Sequence, residues 1–331
     1  MNMKNFILAS LFTVGAFTAC AQNNTVVNNN PSVGDSDPSI VYFTSEITPE
    51  SLVRIYEQLG VTPTGKVAVK ISTGESEKSH HLSPELIKNL VQKVDGTLVE
   101  SNTAYGGNRG DSESHRKAIA QRGYDKIAPV DILDEEGEIA IAVNDSTWIH
   151  YDLVGSHLPN YDFMINLAHF KGHTMGGFGG VLKNASIGVA SSAGKAYIHT
   201  AGEATKGWNN PHGQDAFLES MAAAAQAVHN QFKQPGKDIV YINVMNNMSV
   251  DCDCDGNPHS PEIKDIGILA STDPVALDKA CIDLIFNYDS KEGDTAAPLI
   301  ERVTTRHGTH TIDHAEKLGL GTQNYKIVNI D

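Results

Sequence analysis

Positive charge is scarce in this chain. Lys and Arg total 25 against 40 Asp and Glu, a formal charge of -15. A nucleic-acid surface needs clustered Lys and Arg. No such cluster occurs, so nucleic acid is excluded as the expected partner. Long apolar runs are scarce too. Residues 6–17 form a short one, below the roughly 20 residues that span a bilayer, and nothing later is longer. Cysteine occurs four times, as Cys20, Cys252, Cys254 and Cys281. With Cys20 cleaved off or lipidated, the remainder is odd in number and makes no disulfide framework. Familiar catalytic signatures are also absent. No G-x-S-x-G elbow surrounds Ser112, Ser186 or Ser191, and no dinucleotide fingerprint opens the first strand–helix unit. Gly194-Lys195 lacks a P-loop's first glycine, because Val189 stands there, and Ala196 replaces its Ser/Thr.

The N-terminus reads as a targeting segment. Lys4 precedes the apolar run, so residues 1–21 are expected to be a signal peptide. Phe17-Thr18-Ala19-Cys20 fits a lipoprotein box with Cys20 lipidated, and Ala19-Cys20-Ala21 fits ordinary cleavage before Gln22. Residues 22–37, rich in Asn, Ser, Pro and Gly, are expected to be a flexible linker. The expected location is therefore the periplasm or the membrane-anchored side of the cell envelope, with membrane contact only through a lipid anchor.

Residues 38–331 are expected to form one large α/β domain. Apolar runs at 40–43, 66–71, 97–100, 138–143, 162–167 and 238–244 suit strands, several buried on both faces. Helical spacing marks 51–59, 84–94, 112–122, 215–232 and 274–286. Asp273 and Pro274 supply an N-cap and a first helical position. The alternation predicts a mostly parallel sheet flanked by helices.

Two constellations carry chemistry. The first packs Asp251, Cys252, Asp253, Cys254, Asp255, Gly256, His259 and Glu262 into one stretch. In an extended Cys-x-Cys, side chains at i and i+2 share a face. Cys252 and Cys254 then either bind a soft ion such as Zn2+, completed by His259 or a remote histidine such as His169, or close a disulfide. Cys281 is a further candidate thiolate, although its helix face is apolar. Asp251, Asp253, Asp255 and Glu262 match D-x-D-x-D-G-x5-E, so a Ca2+ loop is the alternative. Against calcium, a strand precedes the loop and Pro258 sits where an aliphatic residue is usual. A plain Asp/Gly/Pro turn is the remaining reading.

The second constellation runs from Asn166 to Asn184 and begins where a buried apolar strand ends. Sites in open α/β sheets lie beyond the carboxyl ends of strands. His169, Lys171, His173 and Lys183 place polar heads there among glycines that admit an anion to the backbone. Lys183 and His173 are the candidate catalytic groups, and Lys70, Arg109 and Asn184 the candidate contacts for a small anionic substrate. Tyr105 and His115 near a glycine turn are weaker candidates.

The chain resembles the domain-of-unknown-function family 362. The resemblance rests on Val67-Ala68-Val69-Lys70, His169 to Gly172, Val181-Leu182-Lys183-Asn184, Asp251 to Cys254 and the run from Asp265 to Asp278. It implies an α/β domain with a link to metal or redox chemistry, and iron–sulfur association, with Cys252, Cys254 and Cys281 as cluster ligands. No C-x2-C-x2-C ferredoxin run is present. No twin-arginine signal is present to export a preloaded cofactor. Zn2+ is therefore the expected metal, ahead of Ca2+ and of a cluster. Over one short segment, His173, Gly177, Gly179-Gly180 and Lys183 resemble the glycine-rich lysine region of the nickel-pincer lactate racemase family. That resemblance implies that Lys183 faces a ligand. The expected function is a metal-dependent or redox enzyme of the cell envelope. The alternatives are a non-catalytic binding protein with a Ca2+ or Zn2+ loop, and a thiol–disulfide protein.

Overall fold

In a computed structural model that describes residues 37–331, an eight-stranded sheet forms the centre of the molecule. The strands are β1 (Ser39–Thr44), β2 (Val67–Lys70), β3 (Thr97–Glu100), β4 (Val130–Ile132), β5 (Glu138–Ile141), β6 (Asp152–Gly155), β7 (Phe163–His169), β8 (Lys171–His173), β9 (Gly177–Gly179), β10 (Asp238–Met245), β11 (Gly267–Ser271) and β12 (Tyr325–Asn329). The helices are α1 (Pro49–Gln58), α2 (Pro84–Lys93), α3 (Ser112–Arg122), α4 (Val181–Ala185), α5 (Ser192–His199), α6 (Gln214–Gln231), α7 (Pro274–Phe286), α8 (Ala297–Thr305) and α9 (His310–Lys317). The sheet order is β12-β1-β11-β10-β7-β2-β3-β4. From β10 through β7, β2 and β3 to β4 every pairing is parallel. Only β11 runs against both its neighbours. This is the α/β architecture that the alternating runs predict. The residues expected to form a signal peptide, with Cys20, and the expected linker up to residue 36 lie outside the described residues. No helix among the described residues is long and apolar enough to cross a membrane.

The strand period of two divides the core between two faces. Val67, Val69, Phe163, Ile165, Leu167, Val240, Ile242 and Val244 pack with Leu52, Ile55, Ile87 and Leu90 of α1 and α2. Ala68, Met164, Ala168, Ile239 and Tyr241 pack with Val181, Ala222, Val275 and Ala280 of α4, α6 and α7. Burial on both faces explains why these strands read as continuous apolar runs. Polar exceptions fasten the second layer. Asn166 Nδ2 donates to Val181 O at 2.9 Å, and Asn243 Nδ2 donates to Asp278 Oδ1 at 2.7 Å. Asp278 accepts the amide hydrogens of Val181 and Leu182, so a carboxylate from α7 caps α4, which starts at glycine and has no side-chain cap of its own.

Two corrections concern the strands. The run at 138–143 gives β5, which pairs antiparallel with β6 in a separate ribbon instead of joining the parallel sheet. Its burial alternates only weakly, with Glu138 and Ala140 exposed, so nothing holds it between two layers. The glycine-rich stretch after β7 is itself a small hairpin, β8–β9.

Candidate active site

The carboxyl ends of β2, β3, β7 and β10 converge on one cavity of about 400 Å³. This is where an open parallel sheet places ligands, beyond its strand ends. Lys70 ends β2 and pairs in register with Asn166 of β7. It shares the face of Ala68, so its side chain runs under α4. There Lys70 Nζ donates to Ile71 O at 2.6 Å and to Asn184 Oδ1 at 3.1 Å. Asn184 in turn donates to Asn166 Oδ1 at 2.7 Å. Asn184 is thus spent on positioning Lys70. Gly188 completes this nook: a Cβ there would lie 2.3 Å from Asn184 O and 2.8 Å from Lys70 Nζ.

Four lysines and an arginine line the cavity: Lys70, Lys171, Lys183, Lys195 and Arg109. The carboxylates in the same lining are Glu100 and Asp253. Each is already engaged. Glu100 accepts from Arg109 Nη1, from Thr73 Oγ1 at 2.6 Å and lies 3.2 Å from His115 Nε2. Burial pushes its carboxyl up, but Arg109 and His115 overrule this and hold it well below the usual range. Asp253 sits between Lys171 Nζ at 2.8 Å and His169 Nδ1 at 2.8 Å. Burial opposes ionisation there too, but Lys171 and the hydrogen-bonded His169 ring hold the Asp253 carboxyl well below the usual carboxylate range.

The free cationic heads are therefore few. Lys183 makes no hydrogen bond or ion pair through its side chain among the described residues. Burial, Lys171 and the other lysines bring it down to about 7 against the pull of Asp253. Burial also brings Lys70 down to about 7, with Glu100 opposing and Lys195, Arg109 and Lys171 assisting. Lys195 donates to Ala190 O at 2.5 Å and is brought down to about 8, mainly by burial. An amine whose charged and neutral forms coexist near pH 7 is suited to general acid–base work.

Arg109 lines the cavity, but its guanidinium is held by Glu100, by Glu75 Oε2 at 3.3 Å and by Tyr105 Oη at 3.1 Å. It is a structural ion pair before it is a substrate clamp. His115 lies behind it, bound to Asn102 Oδ1 at 3.1 Å and to Glu100.

The cysteine loop forms another wall. It follows β10 and is tied to the loop after β2, where Glu75 N donates to Asp253 O at 2.7 Å and Ser76 Oγ to Gly256 O at 2.6 Å. Gly172 of β8 donates to Ser249 O at 2.8 Å, and a Cβ at 172 would lie 2.2 Å from Val250 O. Only glycine lets hairpin and loop approach so closely. The loop delivers Cys252, Asp253 and Cys254 to the cavity. Cys252 and Cys254 are joined as a disulfide.

Three metal expectations can be tested against this geometry. His173, Cys252 and Cys254 are the one group of three among the described residues whose ligand atoms lie within 4.8 Å of one another. A possible metal site therefore exists. Two sulfurs suit a soft ion, but only once the disulfide is reduced. The imidazole fits less well. His173 Nδ1 accepts the amide hydrogens of Gly176 at 2.8 Å and Met175 at 3.3 Å. The neutral ring then carries its proton on Nε2, and coordination there would displace that proton. His169 is a correction: both its nitrogens are occupied, by Asp253 and by Asn246 O at 2.6 Å. Cys281 is a second. It is buried in α7, its Sγ accepting from Asn243 Nδ2 at 3.4 Å, and it stands outside the ligand group. The described residues thus lack the third thiolate that a cluster needs, and an iron–sulfur cluster does not fit. The calcium loop is a third. Asp253 faces Lys171 and His169, Asp251 faces His259 at 2.5 Å, Asp255 accepts from Asn257 N at 2.8 Å, and Glu262 is exposed. The four carboxylates do not converge, because His169 of β7 and Lys171 of β8 claim Asp253.

Sequence reasoning missed Lys195, His199 and Trp208, which also line the cavity. Lys195 lay inside the rejected P-loop match. Its helix α5 brings it there after a turn capped by Ser191, a placement that no local spacing encodes.

The fold and the site together define an α/β protein with a lysine-rich, disulfide-walled cavity at its strand ends. Residues 67–283 match the family described as Domain of unknown function (DUF362), and the chain belongs to that family. No curated protein matches the chain. Among solved structures, it is similar to the lactate racemase apoprotein from Thermoanaerobacterium thermosaccharolyticum, with 12% identity, a TM-score of 0.44, and coverage of 74% of this chain and 56% of that one. It is also similar to a structural-genomics protein from Thermotoga maritima, with 13% identity, a TM-score of 0.40, and coverage of 68% and 55%. The chain spans little more than half the length of either.

Proposed function

We propose that this protein is an exported cell-envelope enzyme that binds a small anionic substrate in the lysine-lined cavity. The observation that carries this reading is the convergence of Lys70, Lys171, Lys183, Lys195 and Arg109 on one cavity whose carboxylates are already paired. Such a surplus of positive charge in a desolvated space attracts an anion. Lys183, with no side-chain partner among the described residues and brought down to about 7, is the group assigned to move a proton at the substrate. Lys70, held by Asn184, fixes the anion's position. His173 is kept neutral chiefly by burial, with Lys183 and His199 assisting, and offers its Nε2 hydrogen as a donor. The reduced Cys252–Cys254 pair would hold a soft divalent ion such as Zn2+, and such an ion would supply Lewis-acid polarisation.

The disulfide favours a second reading, a thiol–disulfide protein in which the pair itself is the reactive element. One experiment separates the two. Protein purified from its native envelope is analysed for metal content and free thiols, and anion binding is followed by calorimetry. Roughly stoichiometric Zn2+ with protected thiols supports the metal clamp. Reversible thiols without metal support the second reading. Absence of any carboxylate or phosphate binding, with Lys183→Ala indistinguishable from the wild type, would sink the enzyme proposal. Fractionation of cells for the protein tests its location.

A further inference from the structure

The cavity has two unlike ends. Lys70, Lys171 and Lys195 are buried at its floor, whereas Thr174 and Trp208 are exposed and mark its mouth. Met175, Ile187 and Ala104 stand in the same lining. The large hydrophobic side chains exposed among the described residues are Ile40, Tyr151, Trp208 and Phe286, and of these only Trp208, 39% exposed, lines the cavity. A tryptophan normally buries most of its large apolar surface. Its surroundings show how this one is held. Trp208 meets His199 edge-on at 4.9 Å and 86°, and His199 stacks on Phe217 at 4.6 Å. Because the two rings cross at a steep angle, His199 does not stack on the indole, and part of the indole surface stays open at the mouth. His199 is brought down to about 4, mainly by burial, so it serves as a neutral aromatic wall and adds no positive charge.

Resting on the anion-binding reading above, we propose that the substrate class is an aryl carboxylate, or a carboxylate with a comparable flat apolar tail. Its carboxylate lies among the floor lysines, and its ring covers the exposed surface of Trp208 beside Met175 and Ile187. A purely polar anion such as inorganic phosphate would leave that apolar wall in water. The floor supplies charge to any anion, and the mouth supplies the discrimination.

The test is calorimetric titration of the full chain with phenylacetate, acetate and inorganic phosphate. Phenylacetate is expected to bind roughly tenfold or more tightly than acetate, as covering a ring against apolar surface implies. Trp208→Ala is expected to remove most of that preference while leaving acetate affinity within about twofold. Trp208→Phe, which keeps a flat ring, is expected to retain it, and serves if the alanine variant fails to fold. Equal binding of phenylacetate and acetate by the wild type overturns the tail and leaves the anion reading standing. So does an undiminished preference in Trp208→Ala. If no carboxylate and no phosphate binds, the anion reading itself fails and takes this proposal with it.

Discussion

At the scale of single residues, the cavity separates groups that hold the structure from groups left free. Asp253 belongs to the first kind. It joins β7, β8 and the cysteine loop through His169 and Lys171. Asp253→Ala leaves Lys171 buried without a counter-charge, and is expected to cost about 3–5 kcal/mol, read as a lowered chemical-denaturation midpoint. Lys183 belongs to the second kind. Lys183→Ala is expected to leave that midpoint unchanged or slightly raised, while weakening anion binding about tenfold or more; an unfolded variant would instead make Lys183 structural. The sequence displayed these residue types, and it placed Lys70 correctly at a strand end, whereas Lys183 lies inside the short helix α4 that the sequence did not show. It did not show which charges were already paired. Arg109 looked like an anion clamp, yet Glu75 and Glu100 claim it from positions 34 and 9 residues away. The Asp251–Glu262 spacing resembled a calcium loop, yet the partner of Asp253 lies 84 residues away in His169. Spacing records what a segment offers, whereas pairing is decided by whatever the fold brings alongside.

At the scale of elements, the legible parts were those with strong periodicity. Helices α6 and α7 and strands β2, β3, β7 and β10 follow their apolar patterns to within a few residues, because each packs against a layer that punishes a shifted register. Short elements were illegible for the converse reason. Helix α4 has five residues and no side-chain cap of its own, and it forms because Asp278 caps it from α7. The β8–β9 hairpin is three residues a side and packs against both the cysteine loop and α8. The contact with the loop is testable. Gly172→Ala drives a methyl into Val250 O, 2.2 Å from the ideal Cβ, and is expected to destabilise by about 1–3 kcal/mol and to weaken anion binding by shifting Lys171 and His173. Gly106→Ala, with nothing within 4 Å of its Cβ, is the control and is expected to stay within about 0.5 kcal/mol. Equal melting temperatures for the two variants would show that hairpin and loop do not lean on each other.

At the scale of the whole molecule, an acidic protein encloses a cationic cavity, and the two tendencies meet in its response to pH. The sign follows from the folded and unfolded states. Lys70 in the fold is brought down to about 7, mainly by burial, from 10.5. Below pH 7 both states are protonated there and the full penalty of burying the charge applies. Between 7 and 10.5 the unfolded chain holds more protons, so this group makes stability rise with pH. Asp152 runs the opposite way. Burial brings it up to about 8 despite Lys195, and neither of its oxygens has a hydrogen-bond partner among the described residues. Its folded form keeps a proton that the unfolded chain has released, so its contribution is complete below pH 3.8 and is lost as pH climbs towards 8. Melting temperatures across pH check both signs. The wild type should gain on Lys70→Met between pH 7 and 10, and lose ground to Asp152→Asn between pH 4 and 8. Ligand binding draws on the same lysines. An anion at the cavity floor favours the charged forms of Lys70, Lys183 and Lys195, so binding at pH 8 should take up protons from solution. At pH 6 these lysines are already charged, and uptake should nearly vanish. Calorimetry in buffers of differing ionisation enthalpy counts the protons directly. Uptake at pH 8 that disappears at pH 6 and shrinks in Lys183→Ala would tie the charge of the cavity to the anion it holds. Equal uptake at the two pH values would mean that the anion is received elsewhere.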